Sequence, residues 1–306
     1  IQDMDAMPLY VQRKTLKQLG WSDADIEALP GRVEKGDFTL WDVIDLAAEA
    51  VSKGYVNYGL ACDGMHNVCI QAINNMIMGF EAYDIDQNKI IVDEKGIKDT
   101  YEFWKKGIES GAIPKDMASL EDVGFEMFYK GEIMFFLGGI NVYKYVREAS
   151  GLDEKAYEQW FYDNIQFTLV PPGTKGGTPG SLANPRVYFV SSKTEPEKIP
   201  YVQRIIELAM APERQIEHTI MTGKLPVTYK AQEDPRFKEY KFLHDVAYML
   251  EYTTVRPPHL AYPDYSNLNI KSIEFLMTKN GSVDDAYDMF INNFKPLHSD
   301  AEVIYR

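Results

Sequence analysis

Residues 167–193 read FTLVPPGTKGGTPGSLANPRVYFVSSK. Two apolar, β-prone runs, Phe167–Val170 and Val187–Val190, bracket a stretch crowded with Gly, Pro, Ser and Asn. Three uses fit so long and unhelical a connection: a loose hairpin, a phosphate cradle, or backbone laid against a ligand. The cradle fails on order. A P-loop needs G-x-x-x-x-G-K-[ST] opening a helix, whereas GTKGGTPG lacks that order and leads toward a second strand-like run.

Working outward, helix signals dominate. Val11–Leu19 predicts a helix stopped at Gly20, and Ser22 with Asp25 forms a capping-box-like start. Thr39 opens LWDVIDLAAEAVSKG, whose Leu40, Val43, Ile44, Ala47 and Ala48 make one apolar stripe. Asn57–Ala61 reads as a strand, His66–Gly79 as a buried helix and Lys89–Val92 as a strand. Lys95–Ser110 is amphipathic, Ser119 caps Leu120–Tyr129, and Ile133–Leu137 is a buried strand before a helix over Asn141–Ala149. Beyond the quoted loop, helices are predicted over Pro196–Ala209, Pro212–Met221, Pro235–Tyr252, Leu268–Thr278 and Ser282–Asn293. GKLPVT (Gly223–Thr228) and the Pro-rich Arg256–Asn267 interrupt them. Short strands among many helices imply an α/β fold, with ligands gathered at strand ends. ACDGMHN, LGGINVY and PPGTKGGTPGSLANP are the candidate ligand walls.

Composition narrows the function. Lys and Arg number 32 against 46 Asp and Glu, a net charge of −14, and such a surface repels nucleic acid and anionic membrane. No apolar run approaches the roughly 20 residues of a membrane span. The opening IQDMDAMPLY reads as mid-domain sequence, so a mature or trimmed product is expected. There is no G-x-S-x-G elbow, and His66, His218, His244, His259 and His298 show no metal spacing. Cys62 and Cys69 in CDGMHNVC admit three readings: buried free thiols, a short-loop disulfide, or metal ligands together with His66. A helix starting after Gly138 and Gly139 would aim free amides above the sheet, with Asn141 capping it or meeting a ligand.

The segment order resembles the extracellular solute-binding proteins of sugar ABC importers, the group of maltose-binding protein. PLYVQRKTLKQLGW, FTLWDVIDLAAEAVSKG, FEMFYKGEIMFFLGGINVY, FTLVPPGTKGG…VYFVSSK and GKLPVTYKA carry the resemblance, in that order. It implies a type II periplasmic-binding-protein-like fold: two α/β lobes, three crossovers and a ligand cleft closed by hinge motion. Residues 1–9 would be the first crossover and 10–180 the main part of lobe two. Residues 181–255 would be the C-terminal portion of lobe one, and 256–306 the third crossover with helices completing lobe two. The quoted loop would carry the second crossover past the ligand. About a hundred residues found earlier in the family have no counterpart, so lobe one is expected to be incomplete. Its apolar surface should then need another segment, an N-terminal part of the same protein.

The resemblance further implies a sugar or polyol ligand, an ABC permease as partner and a periplasmic or extracellular, optionally lipid-anchored, location. It calls for no cofactor. The candidate ligand residues are Asp5, His66, Asn67, Gly139, Asn141, Ser181, Asn184, Arg256, Tyr262 and Tyr265. The tyrosines would serve as aromatic plates, Arg256 as a fork for hydroxyls, and Gly180 beside Ser181 as a point of close backbone approach. A carbohydrate-active enzyme is the alternative, because the two carboxylates of a glycosidase are usually remote in sequence.

Overall fold

A computed structural model describes residues 2–306 except 63–66, 80–81, 121–122, 255, 280 and 300, and the backbone alone at 67, 68, 118 and 119. Strand β1 (Leu9–Gln12) runs straight into helix α1 (Arg13–Gln18). Val11 therefore lies in a strand and not in the predicted helix. All four residues of β1 are buried, because the strand has a partner on each side and both its faces are covered. Helices α2 (Asp23–Glu34) and α3 (Leu40–Ser52) start at complete capping boxes, Ser22 with Asp25 and Thr39 with Asp42.

The chain continues through β2 (Tyr58–Cys62), α4 (Asn67–Met78), β3 (Tyr83–Asp84), β4 (Lys89–Val92) and α5 (Glu94–Glu109). Ile97, Tyr101, Trp104 and Ile108 form the buried stripe of α5. The helix expected from Leu120 is shorter. A 3-10 turn covers Met117–Leu120, and α6 runs over Gly124–Tyr129. Then come β5 (Ile133–Leu137), α7 (Val142–Ser150), α8 (Glu154–Asn164), β6 (Ile165–Thr168) and β7 (Ser181–Leu182).

Four of these strands make the main sheet in the order β2-β5-β1-β6. Strand β5 is parallel to β2, while β1 runs antiparallel to both β5 and β6. The register sets Tyr10 between Phe136 and Phe167.

The second half of the chain is mostly helical: α9 (Ile199–Ala209), α10 (Pro212–Thr222), α11 (Tyr229–Gln232), α12 (Pro235–Lys238) and α13 (Lys241–Val246). The single helix expected over Pro235–Tyr252 is broken. Tyr240 takes φ −90° and ψ 78°, outside the helical region, and 3-10 turns follow at Ala247–Tyr252. The break turns Phe242 into the aromatic layer of the main sheet. There it stacks on Tyr143 with centroids 4.4 Å apart and meets Tyr10, Phe161 and Phe167.

Strand β8 (Thr253–Thr254) pairs in parallel with β7, with Ser181 opposite Thr253. Helix α14 (Tyr262–Lys279) starts inside the stretch read as irregular. Helix α15 (Val283–Phe294), capped by Ser282, and β9 (Val303–Tyr305) finish the chain. Strand β9 joins a small sheet in the order β3-β4-β9, and the Arg306 carbonyl just beyond it accepts from the Glu94 N–H at the start of α5 at 2.9 Å.

Val187–Val190 was expected to return as a strand. It joins no ladder, and Phe189 is 85% exposed. Helix α9 buries none of its residues; Tyr201, Ile205 and Leu208, spaced by four and three, form an exposed apolar stripe.

Candidate functional site: a pocket where the crossing segments meet

The extended chain at residues 2–5 is held from two directions. Asp3 bridges Arg186, and Met4 bridges Leu225, both antiparallel. The Met4–Leu225 bridge has a backbone bond each way, at 3.1 and 3.0 Å. With β7 paired to β8, four separate stretches of chain converge: residues 3–4, 181–186, 225 and 253–254. The connection quoted first is therefore backbone laid along a junction. Within it, Val170 and Gly180 exchange backbone bonds at 2.9 and 3.1 Å, closing the loop back on itself before Ser181.

A cavity of about 240 Å³ opens beside this junction. Asp5, Gly139, Asn141, Asn184, Phe125 and Lys224 line it, over an apolar wall that includes Met7, Leu137, Val142 and Leu182. Four of the predicted site residues, Asp5, Gly139, Asn141 and Asn184, are thus brought together. The antiparallel Met4–Leu225 bridge sets Asp5 opposite Lys224, and their side chains form an ion pair. Burial holds the Asp5 carboxyl above the usual carboxylate range, and Lys224 pulls it partly back. The other carboxylate oxygen, Oδ1, is buried and has no hydrogen-bond partner among the described residues.

Gly139 is half-buried where β5 gives way to α7. A Cβ there would stand 2.5 Å from the Asn141 Oδ1, so glycine leaves the room Asn141 occupies. The Gly139 carbonyl accepts from the Tyr10 hydroxyl at 3.1 Å. Asn141 occupies the position before α7 without capping it. The expectation of free amides is overturned for Val142 and Tyr143. Their N–H groups donate to the Gly139 and Ile140 carbonyls at 3.0 and 3.3 Å. Asn141 also borders a second cavity of about 290 Å³, which opens between α7 and the α10 to α13 segment and includes Arg147, Met221 and Leu243.

The remaining predicted residues fall elsewhere. The Ser181 hydroxyl is buried and engaged with backbone, accepting from the Met7 N–H at 2.6 Å. Arg256 is exposed and lines none of these cavities. Tyr262 and Tyr265 sit on α14, buried and stacked on each other at 6.1 Å, with Tyr265 also edge-on to Phe290 and Phe294. They line a separate narrow cleft of about 20 Å³ against α4. Burial pushes the Tyr262 hydroxyl up to about 12. Their burial follows from α14 starting at Tyr262, which turns that part of its face toward α4 and α15. His66 lies outside the described residues, as does the side chain of Asn67, the first residue of α4.

Cys62 and Cys69 are both buried and form no disulfide with each other, which excludes that reading here; the Cys69 thiol donates to the Leu137 carbonyl at 3.3 Å. Among the described residues no cluster of His, Cys, Asp and Glu is arranged to hold a metal. Nor is any described helix long and apolar enough to cross a membrane. On α10, the His218 Nε2 lies 2.6 Å from a carboxylate oxygen of buried Asp3.

Sequence reading missed Lys224 and Phe125. Lys224 sits in GKLPVT, read as a helix break and as part of the GKLPVTYKA motif, without a ligand role; its place opposite Asp5 depends on strand register, which one sequence does not display. Phe125 opens the quoted FEMFYKGEIMFFLGGINVY, and its place on the short helix α6 just ahead of β5 was the available signal.

No curated protein matches the chain by sequence. Solved structures match in fold. Maltose-bound MalE3 of T. maritima aligns at TM-score 0.70 and 16% identity, covering 97% of this chain and 72% of that one. The sugar-binding protein MalE of Xanthomonas citri aligns at 0.75 and 16%, covering 97% and 69%. A sugar transporter protein of Arthrobacter chlorophenolicus with bound laminaribiose aligns at 0.68 and 14%, covering 97% and 71%. At these identities the likeness establishes the two-lobe, type II periplasmic binding protein architecture. The sequence profile described as bacterial extracellular solute-binding protein matches residues 7–243. This chain, in which separate stretches converge beside the Asp5 pocket, belongs to the bacterial extracellular solute-binding protein family.

Proposed function

We propose that the protein binds a neutral sugar or polyol in the pocket beside the crossing segments and delivers it to an ABC permease. The observation that carries this reading is the convergence of Asp5, Gly139, Asn141 and Asn184 on one cavity at the junction. Asn amides and a carboxylate suit a ring of hydroxyls. Phe125, half-buried and 5.0 Å from the Tyr145 ring, supplies the aromatic face for sugar C–H groups in place of Tyr262 and Tyr265. Residues 10–180 would form the main part of one lobe and 181–255 part of the other, so that hinge motion at the junction closes the pocket. The maltose and laminaribiose named for the solved relatives support a sugar as the ligand class. The family supports a periplasmic or cell-surface site of action, with a lipid anchor as one means of retention, and a carrier without chemical turnover.

Calorimetric titration with D-glucose, maltose and D-sorbitol tests this reading. Saturable binding of at least one, with the probe recovered unchanged, is expected. A folded protein that binds none contradicts the sugar reading, and recovery of hydrolysed maltose favours a carbohydrate-active enzyme.

The exposed apolar residues of Val187–Val190 and, separately, of α9 would suit a further partner, a segment of the same protein preceding residue 1. The antiparallel Asp3–Arg186 bridge sets the direction in which such a segment would extend along residues 187–190. Amide exchange at those residues, measured in the protein as its host makes it, should be slow. Exchange at the rate of an unstructured chain contradicts this pairing.

A further inference from the structure

We propose that His218 is a pH-sensitive clasp on the junction: a proton on its ring tightens the hold of α10 on residues 2–4 through Asp3, and loss of that proton loosens it. The inference rests on the geometry of the junction and stands whichever solute the pocket takes.

The backbone brings the groups together. Residue 3 pairs antiparallel with residue 186, and residue 4 with residue 225 just beyond α10. The Asp3 side chain is buried, and two groups from other segments approach the same oxygen, Oδ2. They are the His218 Nε2 at 2.6 Å and the guanidinium of the exposed Arg186 at 3.7 Å. The other oxygen, Oδ1, has no hydrogen-bond partner among the described residues. A carboxylate so withdrawn from water and so thinly bonded is costly. A full positive charge at hydrogen-bond distance offsets more of that cost than a neutral N–H does.

The ring is held at both nitrogens by the same stretch of chain, because the Gln2 amide nitrogen lies 3.4 Å from Nδ1. These partners place the hydrogen of the neutral ring on Nε2, donating to Asp3, while Nδ1 accepts from Gln2. A second proton goes to Nδ1, and the partly exposed Gln2 amide turns its oxygen over to accept it. Both contacts persist, and the one to Asp3 becomes charge-assisted.

The surrounding charges are otherwise engaged. Lys224 is paired with Asp5, whose carboxyl the neighbouring Asp3 charge pushes further up. On α10 itself Arg214 pairs with Glu217 at 2.6 Å, and on α9 Arg204 pairs with Glu207 at 3.0 Å. On α12 Arg236 is held by Asp234 and faces Glu213 and Glu217. None of these, nor Lys230 of α11, pairs with His218 or Asp3 among the described residues. Histidine changes charge between about pH 5 and 8, so the clasp is tight at the acid end of that range and loosens as pH rises.

Hydrogen exchange, expressed as protection relative to each amide's intrinsic rate, tests this in the protein as its host makes it. The Met4 and Leu225 amides bond to each other's carbonyls, and the Arg186 amide donates to the Asp3 carbonyl at 3.0 Å, so these three report on the junction. Their protection should fall by about three- to tenfold between about pH 5.5 and 8, the difference between a charge-assisted and an ordinary hydrogen bond. The fall should follow the titration of the His218 ring resonances in NMR, and the amides of β5 should not share it. His218→Gln keeps a donor and cannot take the charge, so it should show the wild type's alkaline protection at every pH. Titration of the His218 ring with junction protection unchanged overturns the proposal, and that outcome needs no variant. A pH step of the same size in His218→Gln overturns it as well.

Discussion

Replacing Phe242 with alanine removes the side chain that ties the helical second half of the chain to the main sheet. Phe242 is 3% exposed and touches four rings: Tyr143 at 4.4 Å and 7°, Phe161 at 5.3 Å, Phe167 at 5.5 Å and Tyr10 at 6.3 Å. Truncating a buried phenylalanine costs about 3–5 kcal/mol, rising with the cavity left behind. The four rings are anchored on β1, α7, α8 and β6, so they are poorly placed to collapse together into the space. The upper half of that range, about 4–5 kcal/mol, is therefore expected. Urea unfolding followed by fluorescence is the assay, since Trp160 lies 5.6 Å from Tyr157, itself in edge contact with Tyr143. Phe189→Ala serves as the comparison: at 85% exposure it should change stability by under about 0.5 kcal/mol. A loss below about 1 kcal/mol for Phe242→Ala would refute the claim that the break at Tyr240 exists to seat this ring.

Three other outcomes are expected. Gly59→Ala sets a Cβ 2.7 Å from the Ala112 carbonyl oxygen and 2.6 Å from the Ala47 Cβ, and a backbone atom cannot swing aside. A thermal melt should record a loss of about 1–3 kcal/mol, and an unchanged melting temperature would contradict the packing of α3 on β2. Burial raises the folded Asp5 carboxyl above its ordinary 3.8, so the folded state holds the proton more tightly than the unfolded one. Its contribution to stability is complete below 3.8 and is lost as pH rises through the raised value. Asp5→Asn should flatten that part of the pH–stability curve, and an unaltered slope would contradict it. Phe125→Ala should weaken binding of whichever of D-glucose, maltose or D-sorbitol is bound, by about 1 kcal/mol or more in calorimetry, while Tyr262→Phe leaves it unchanged.

The local parts of the fold were legible because they are written within a few residues. The capping pairs Ser22 with Asp25 and Thr39 with Asp42, the stripe of α5 and the apolar run of β5 appear where spacing predicts them. Val11 was misread because a doubly covered strand of four residues and the first turn of a buried helix carry the same apolar signal. Strand β9 is too short for any period to register. Val187–Val190 shows the limit most plainly. Its β-prone residues specify a strand, yet no neighbour among the described residues supplies the ladder.

The site divides in the same way. Gly139 and Asn141 follow a readable strand, and Asn184 follows the Gly-Pro-rich loop, so all three were within reach. Tyr262 and Tyr265 were expected from the family resemblance, as its aromatic pair in this stretch, and the early start of α14 carries them into the core instead. Lys224 required a pairing between residues more than two hundred positions apart, which only the fold supplies.

The most direct test of solute capture is a crystal structure of the host-made protein soaked or grown with the sugar it binds most tightly. The account predicts density for the sugar against Asp5, Asn141, Asn184 and Lys224. Sugar seated in the Tyr262–Tyr265 cleft or on an outer face, with the Asp5 pocket holding only water, would contradict it.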